Sequence, residues 1–228
     1  MSVTSQSIEE SLAKAEKALD SGSGLSGTGF WGAVTTVKRN PELAERYAER
    51  IALIDERAHR RWALLIIPLR LGNVLAWIAF LIGLALVWWA YELSGTGALV
   101  AFFAGMGFLL AATHGLGHLV VGRLLGMRFS YWFVGEVVRP QPGVKIDYAT
   151  YLRTPPRRRA WMHASGALAT KTVPFLLIGA AVAADLPGWV PWALAGLGSA
   201  MIIIDVLWST QASDWKRFRR EMEFAQDS

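Results

Sequence analysis

Long unbroken apolar runs alternate with short polar breaks along most of this chain. Four of these runs, Leu71 to Tyr91, Gly97 to Val121, Met162 to Ala184 and Trp189 to Trp208, reach the roughly 20 residues that a membrane-crossing helix needs. The stretch WALLIIPLR leads into the first as an interfacial piece. The connections at 92–96 and 185–188 are tight and hold no Lys or Arg. The pattern predicts an all-α polytopic membrane protein with four transmembrane helices. A short β-segment is expected in the loop between helices 2 and 3. There FSYWFVGEVVRPQPGVKIDYATYL is rich in aromatic and β-branched residues and is broken by the turn RPQPG. Open strand edges cannot face lipid, so this segment belongs at the interface or in the shelter of the bundle.

The first 61 residues read differently. Ile8 to Leu19 has Leu12, Ala15 and Leu19 on one face of a short helix. SGSGLSGTG reads as a flexible linker. Asn40-Pro41 is a helix start, a capping amide followed by Pro in the first turn. Leu43, Tyr47, Ile51 and Ile54 then recur at helical spacing. That helix, with Arg46, Arg50, Arg57, Arg60 and Arg61, is expected on the membrane surface or against the cytoplasmic face of the bundle. The tail STQASDWKRFRREMEF predicts a basic amphipathic helix capped by Ser213 or Asp214, with Trp215, Phe218 and Met222 as its apolar face. A surface anchor at the inner leaflet is its expected role. The chain thus divides into a cytoplasmic amino-terminal region (1–61), a four-span membrane domain (62–210) and a cytoplasmic amphipathic tail (211–228).

Charge orients the spans. Basic residues concentrate in the amino-terminal region, the loop from 122 to 161 and the tail. An even number of spans places all three on one side, the cytoplasm by the positive-inside rule, so both termini are expected there. The plasma membrane is the expected location and membrane lipids are expected partners. The net charge of +5 is a topology signal rather than a nucleic-acid footprint, because the basic residues flank apolar runs. Eleven Trp suit the edges of a bilayer, and no apolar leader run precedes Trp62. With no cysteine, any metal must be held by His, Asp or Glu.

Candidate chemistry sits near the cytoplasmic ends of the spans. His114 and His118 are four residues apart and project from one helix face, an arrangement that can grip one metal ion. They lie roughly 7 to 14 Å inside the interface marked by Arg123, at about 1.5 Å per residue. His163 begins the third span and Asp205 lies near the end of the fourth. A bare carboxylate in a span costs about 2.5–3.5 kcal/mol, which a metal ion or a partner on the third span would offset. Two His and one carboxylate with an open position is the composition of a catalytic zinc site. His163 is a candidate fourth ligand, supporting partner or proton carrier. Lys171, about 12 Å along the third span from His163, reads as paired with a carboxylate or as a substrate or proton-path contact.

THGLGHLVVGRLLGMRFSYWFVG resembles the metal-binding helix and following strand of the site-2 protease family of intramembrane zinc metalloproteases. The order of a His pair, a strand-like loop, SGALAT in the third span and IDV in the fourth agrees over about residues 97 to 210. The resemblance implies His114, His118 and Asp205 as zinc ligands. It implies a transmembrane-helix substrate or client. The departures are specific. The family's Glu general base falls on Gly115, the Pro and Asn of its second motif on Ala167 and Thr170, and the Gly after its Asp on Val206. Loss of general-base assistance is worth about 10² to 10⁴ in rate. Only His163 or Glu136 offers a replacement. The expected function is a divergent site-2-protease-like metalloprotein, either a weak or altered intramembrane protease or a pseudoprotease that binds membrane helices. The alternative is a non-catalytic membrane scaffold whose His and Asp residues only pair helices.

Overall fold

The structure is a computed structural model and describes residues 3–135, 142–207 and 213–226. The chain forms two compact units, each built from segments distant in sequence. One comprises residues 1–69, 123–159 and 221–228; the other comprises 70–122 and 160–220.

The first unit is a polar helical assembly with a small sheet. Helix α1 (Val3–Asp20) buries Ile8, Leu12, Ala15 and Leu19, the face its periodicity marks. The Gly/Ser run folds into turns, and Gly29 stands just ahead of the next helix at φ 80°, where a side chain would be strained. That helix, α2 (Phe30–Lys38), buries Phe30, Val34 and Val37 and has no counterpart in the sequence reading. Helix α3 (Pro41–Trp62) starts as its cap predicts, the Asn40 side chain accepting from the amides of Glu42 and Leu43. Its apolar stripe, Tyr47, Ala48, Ile51 and Ile54, is fully occupied by this unit's own packing, not left for a membrane surface. Three of its arginines are likewise paired within the protein. Arg50 grips Glu16 through two bonds (2.7 and 2.8 Å) and also pairs with Glu9; Arg57 meets Asp20 at 2.6 Å, and Arg60 meets Glu56 at 2.5 Å.

The sheet is antiparallel, in the order β1 (Leu65–Pro68), β2 (Phe129–Val134), β3 (Pro142–Ile146). Ile67 faces Trp132, and Trp132 faces Val144. The sheet is therefore not confined to the loop between the second and third spans. LIIP, read as an interfacial lead-in, is its edge strand. Asp147 then caps a short helix, α6 (Tyr148–Arg153), accepting from the Thr150 amide at 2.8 Å.

The second unit contains the four long apolar helices, α4 (Leu69–Trp89), α5 (Gly95–Leu124), α7 (Pro156–Ala183) and α8 (Trp189–Leu207). All four are long and apolar enough to cross a membrane. They meet through small residues, the device available when lipid is as apolar as the core. A Cβ on Gly105 would come within 2.8 Å of the Gly83 carbonyl, so the backbones of α4 and α5 touch there. A Cβ on Gly117 would come within 2.9 Å of the Ser165 carbonyl, the matching approach of α5 to α7. Phe102, Leu109, Val173, Leu177, Val190 and Leu194 fill the centre. Large apolar side chains such as Trp88, Val100, Leu176 and Trp192 face outwards, a surface suited to lipid rather than water. Helix α9 (Asp214–Phe224) follows; residues 214–220 belong to this unit and the remainder to the first.

Candidate metal centre

Helix geometry puts His114 and His118 one turn apart on α5, with ring centroids 4.8 Å apart and nearly perpendicular. Each ring has one nitrogen committed. The Nδ1 of His118 lies 2.8 Å from the Met162 carbonyl of α7, which can only accept, so Nδ1 carries a proton and donates. The Nδ1 of His114 lies 3.3 Å from the Thr170 hydroxyl. That hydroxyl already donates to the Gly166 carbonyl at 3.0 Å, so its oxygen is left to accept from His114. Both Nε2 atoms thereby face the interior of the site.

They face one carboxylate oxygen. Asp214 Oδ2 lies 3.3 Å from His114 Nε2 and 3.1 Å from His118 Nε2. Asp214 is the first residue of α9, and its side chain is spared capping duty because the Ser213 hydroxyl accepts from the Lys216 amide. Burial alone would raise the Asp214 carboxyl. The hydrogen bond and charge of His118, then His114 and Arg217, outweigh it and hold the group at about 2. His118 thus stands between two acceptors, the Met162 carbonyl and the Asp214 carboxylate.

The donor set fits a divalent cation. The two imidazole nitrogens and the carboxylate oxygen lie within 4.8 Å of one another. Tetrahedral ligands about 2.0–2.1 Å from zinc stand roughly 3.3–3.4 Å apart, close to both measured His–Asp separations. The Nδ1 contacts are those by which ligating histidines are usually oriented. His114 keeps 43% of its side chain exposed, against 13% for His118, so the centre is open on the His114 side. Gly166 makes the arrangement possible: the His118 ring lies so flat on it that a Cβ would come within 2.3 Å of Nε2.

The other expected residues lie elsewhere. Asp205 accepts from Lys171 Nζ at 2.6 Å, an ion pair between α8 and α7. The group that meets the two histidines among the described residues is Asp214, not Asp205. The Lys171 reading as a Lys paired with a carboxylate is met. His163 is buried on α7, 6% exposed, and is not in the ligand group among the described residues. Glu136 lies outside the described residues. Gly115 is buried in α5 and brings no functional group next to His114. The residue that sequence reasoning missed is Asp214. The sequence marks it only as a capping type beside Ser213, which says nothing of the histidines.

No family model, no curated protein and no solved structure matches this chain.

Proposed function

We propose that this chain is a membrane-embedded, site-2-protease-like metalloprotein that binds zinc through His114, His118 and Asp214 and engages membrane helices, cutting them weakly or not at all. One observation carries the reading: two imidazoles with their Nδ1 protons committed elsewhere direct both Nε2 atoms at one carboxylate oxygen. Two His, a carboxylate and an open side form the donor set of a catalytic zinc site.

A divalent cation held there would supply Lewis acidity towards a carbonyl. The chain's own residues supply the positioning. Met162 and Thr170 fix the two ring tautomers, and Gly166 gives His118 its seat. The position after His114, where the family it resembles carries its general base, is Gly115. This favours binding of a helical client over efficient peptide hydrolysis. The third ligand comes from the tail rather than the fourth span, a further departure from the family's layout. On the positive-inside argument the site opens towards the cytoplasm of the plasma membrane, with both termini on that side.

Elemental analysis of the purified full-length protein tests the reading. We expect about one zinc per chain in the wild type and none in His114→Ala/His118→Ala. A Gly115→Glu variant should gain proteolysis of a membrane-helix substrate if the resemblance is one of descent. The scaffold reading draws on the same His118–Asp214 contact, taken as an imidazolium–carboxylate pair that only joins helices. It predicts a folded wild type without metal, and that result would replace the proposal.

A further inference from the structure

We infer that the start of α9 is a metal-dependent strap: the cation at His114 and His118 holds residues 214–220 over the site through Asp214, while Glu221 ties the other end of the helix independently of metal. This rests on the metal reading above and adds what the third ligand's origin implies.

The two histidines stand on α5, a helix locked into its unit by the close approach of Gly117 to α7. Neither can leave the site without unpacking the spans. Asp214 is different. It opens a separate helix, and the local structure of that helix does not use it, because Ser213 caps the first turn. The carboxylate is directed at the histidines from outside the span bundle. Only 16% of its side chain is exposed. With a cation, three ligands converge on a double positive charge, and the attraction is far larger in so dry a place.

The remaining contacts of this part of α9 are soft. Trp215 stacks on Phe218 with centroids 5.1 Å apart, and Phe218 meets Trp161 of α7 edge-on at 5.5 Å. Detergent or lipid chains can replace such contacts. Asp214 carries a polar contact from this part of α9 to the spans. Asp214 therefore occupies one coordination position with a ligand that the chain itself supplies, and a client carbonyl or carboxylate must displace it or enter on the exposed His114 side.

Hydrogen exchange on the full-length protein in nanodiscs tests this, read at the amides of 217–220 beside zinc content. With zinc bound, these amides should be protected. Chelation should speed their exchange at least tenfold, and Asp214→Asn should do so in the presence of zinc, with Asp214→Glu restoring part of the protection. Chelation should have no effect on His114→Ala/His118→Ala. If the wild type carries one zinc and chelation leaves 217–220 unchanged, the strap is refuted while the metal centre stands. If the wild type binds no zinc, the metal reading fails first and the strap with it.

Discussion

The two units use buried charge in opposite ways. In the first, Glu221 is fully enclosed among two cations and a hydroxyl. Lys38 Nζ and the Tyr151 hydroxyl each donate to its Oε1 at 2.7 Å, and Arg159 Nε lies 2.7 Å from its Oε2. Arg159 spends its other nitrogens on the carbonyls of Leu152 and Lys38. Burial would raise the Glu221 carboxyl, but the charges of Lys38 and Arg159 outweigh it and hold it below the usual range. In the second unit, His114, His118 and Asp214 also converge, yet one ring is substantially exposed and two Nε2 atoms point at a single oxygen. The first cluster supplies its own cations, Lys38 and Arg159. The second sets one carboxylate oxygen against two ring nitrogens, a place that a cation can take. Satisfied networks hold a fold in one shape, whereas under-supplied ones with an open side are where ligands bind.

Breaking the closed cluster should have the largest effect. Glu221→Ala leaves Lys38 and Arg159 buried beside no carboxylate and should cost about 3–5 kcal/mol, seen as a large drop in the midpoint of chemical denaturation. It should leave the zinc affinity of surviving folded protein nearly unchanged; a parallel loss of zinc would erase the contrast. Gly166→Ala comes next. Its methyl takes the space of the His118 ring, so zinc affinity should fall by about 100-fold with little loss of helical circular dichroism. Thr170→Val keeps the shape but removes the acceptor for His114 Nδ1, and about tenfold weaker binding is expected, measured by competition with a chromogenic chelator.

The smallest effect is a pH dependence of the first unit. His59 donates from Nδ1 to the Tyr131 hydroxyl, which itself donates to Glu56. Burial, then the charges of Lys145 and Arg60, push the ring down to about 4. An unfolded His titrates near 6.5, so the unfolded chain takes up the proton first as pH falls. The stabilisation is full above about pH 6.5 and is lost as pH drops towards 4. Because the ring is partly exposed, the loss should be on the order of 1 kcal/mol. His59→Phe should flatten the stability profile in that window; an unchanged slope would assign it to other groups.

Legibility in the sequence followed the length of each signal. Four apolar runs of membrane length and the aromatic strand before RPQPG each repeat one instruction over many residues, the Asn40-Pro41 cap combines two strong local signals, and all three appear. Short elements next to strong signals were hidden. Phe30–Lys38 lies between a Gly/Ser run and a strong helix start, and its short apolar repeat, Phe30, Val34 and Val37, carries no assignment of its own in the sequence reading. Leu65–Pro68 adjoins a span, and four apolar residues there look the same whether they enter lipid or pair in a sheet. The histidine pair was legible because i and i+4 are local. Its carboxylate was not, because the choice between Asp205 and Asp214 depends on which cation each one meets. Lys171 takes Asp205, and that contact between residues 34 apart cannot be read from spacing alone.

That Lys171–Asp205 pair also bears on how the protein is made. Helices α7 and α8 are joined by a short turn through Asp185, at φ 50°, and Pro187. Inserted singly, each would carry an isolated ion at a cost of about 2.5–3.5 kcal/mol. Inserted as a hairpin they carry a neutral couple. For helices that cross a membrane, neutralising one partner alone should therefore cost more than removing both.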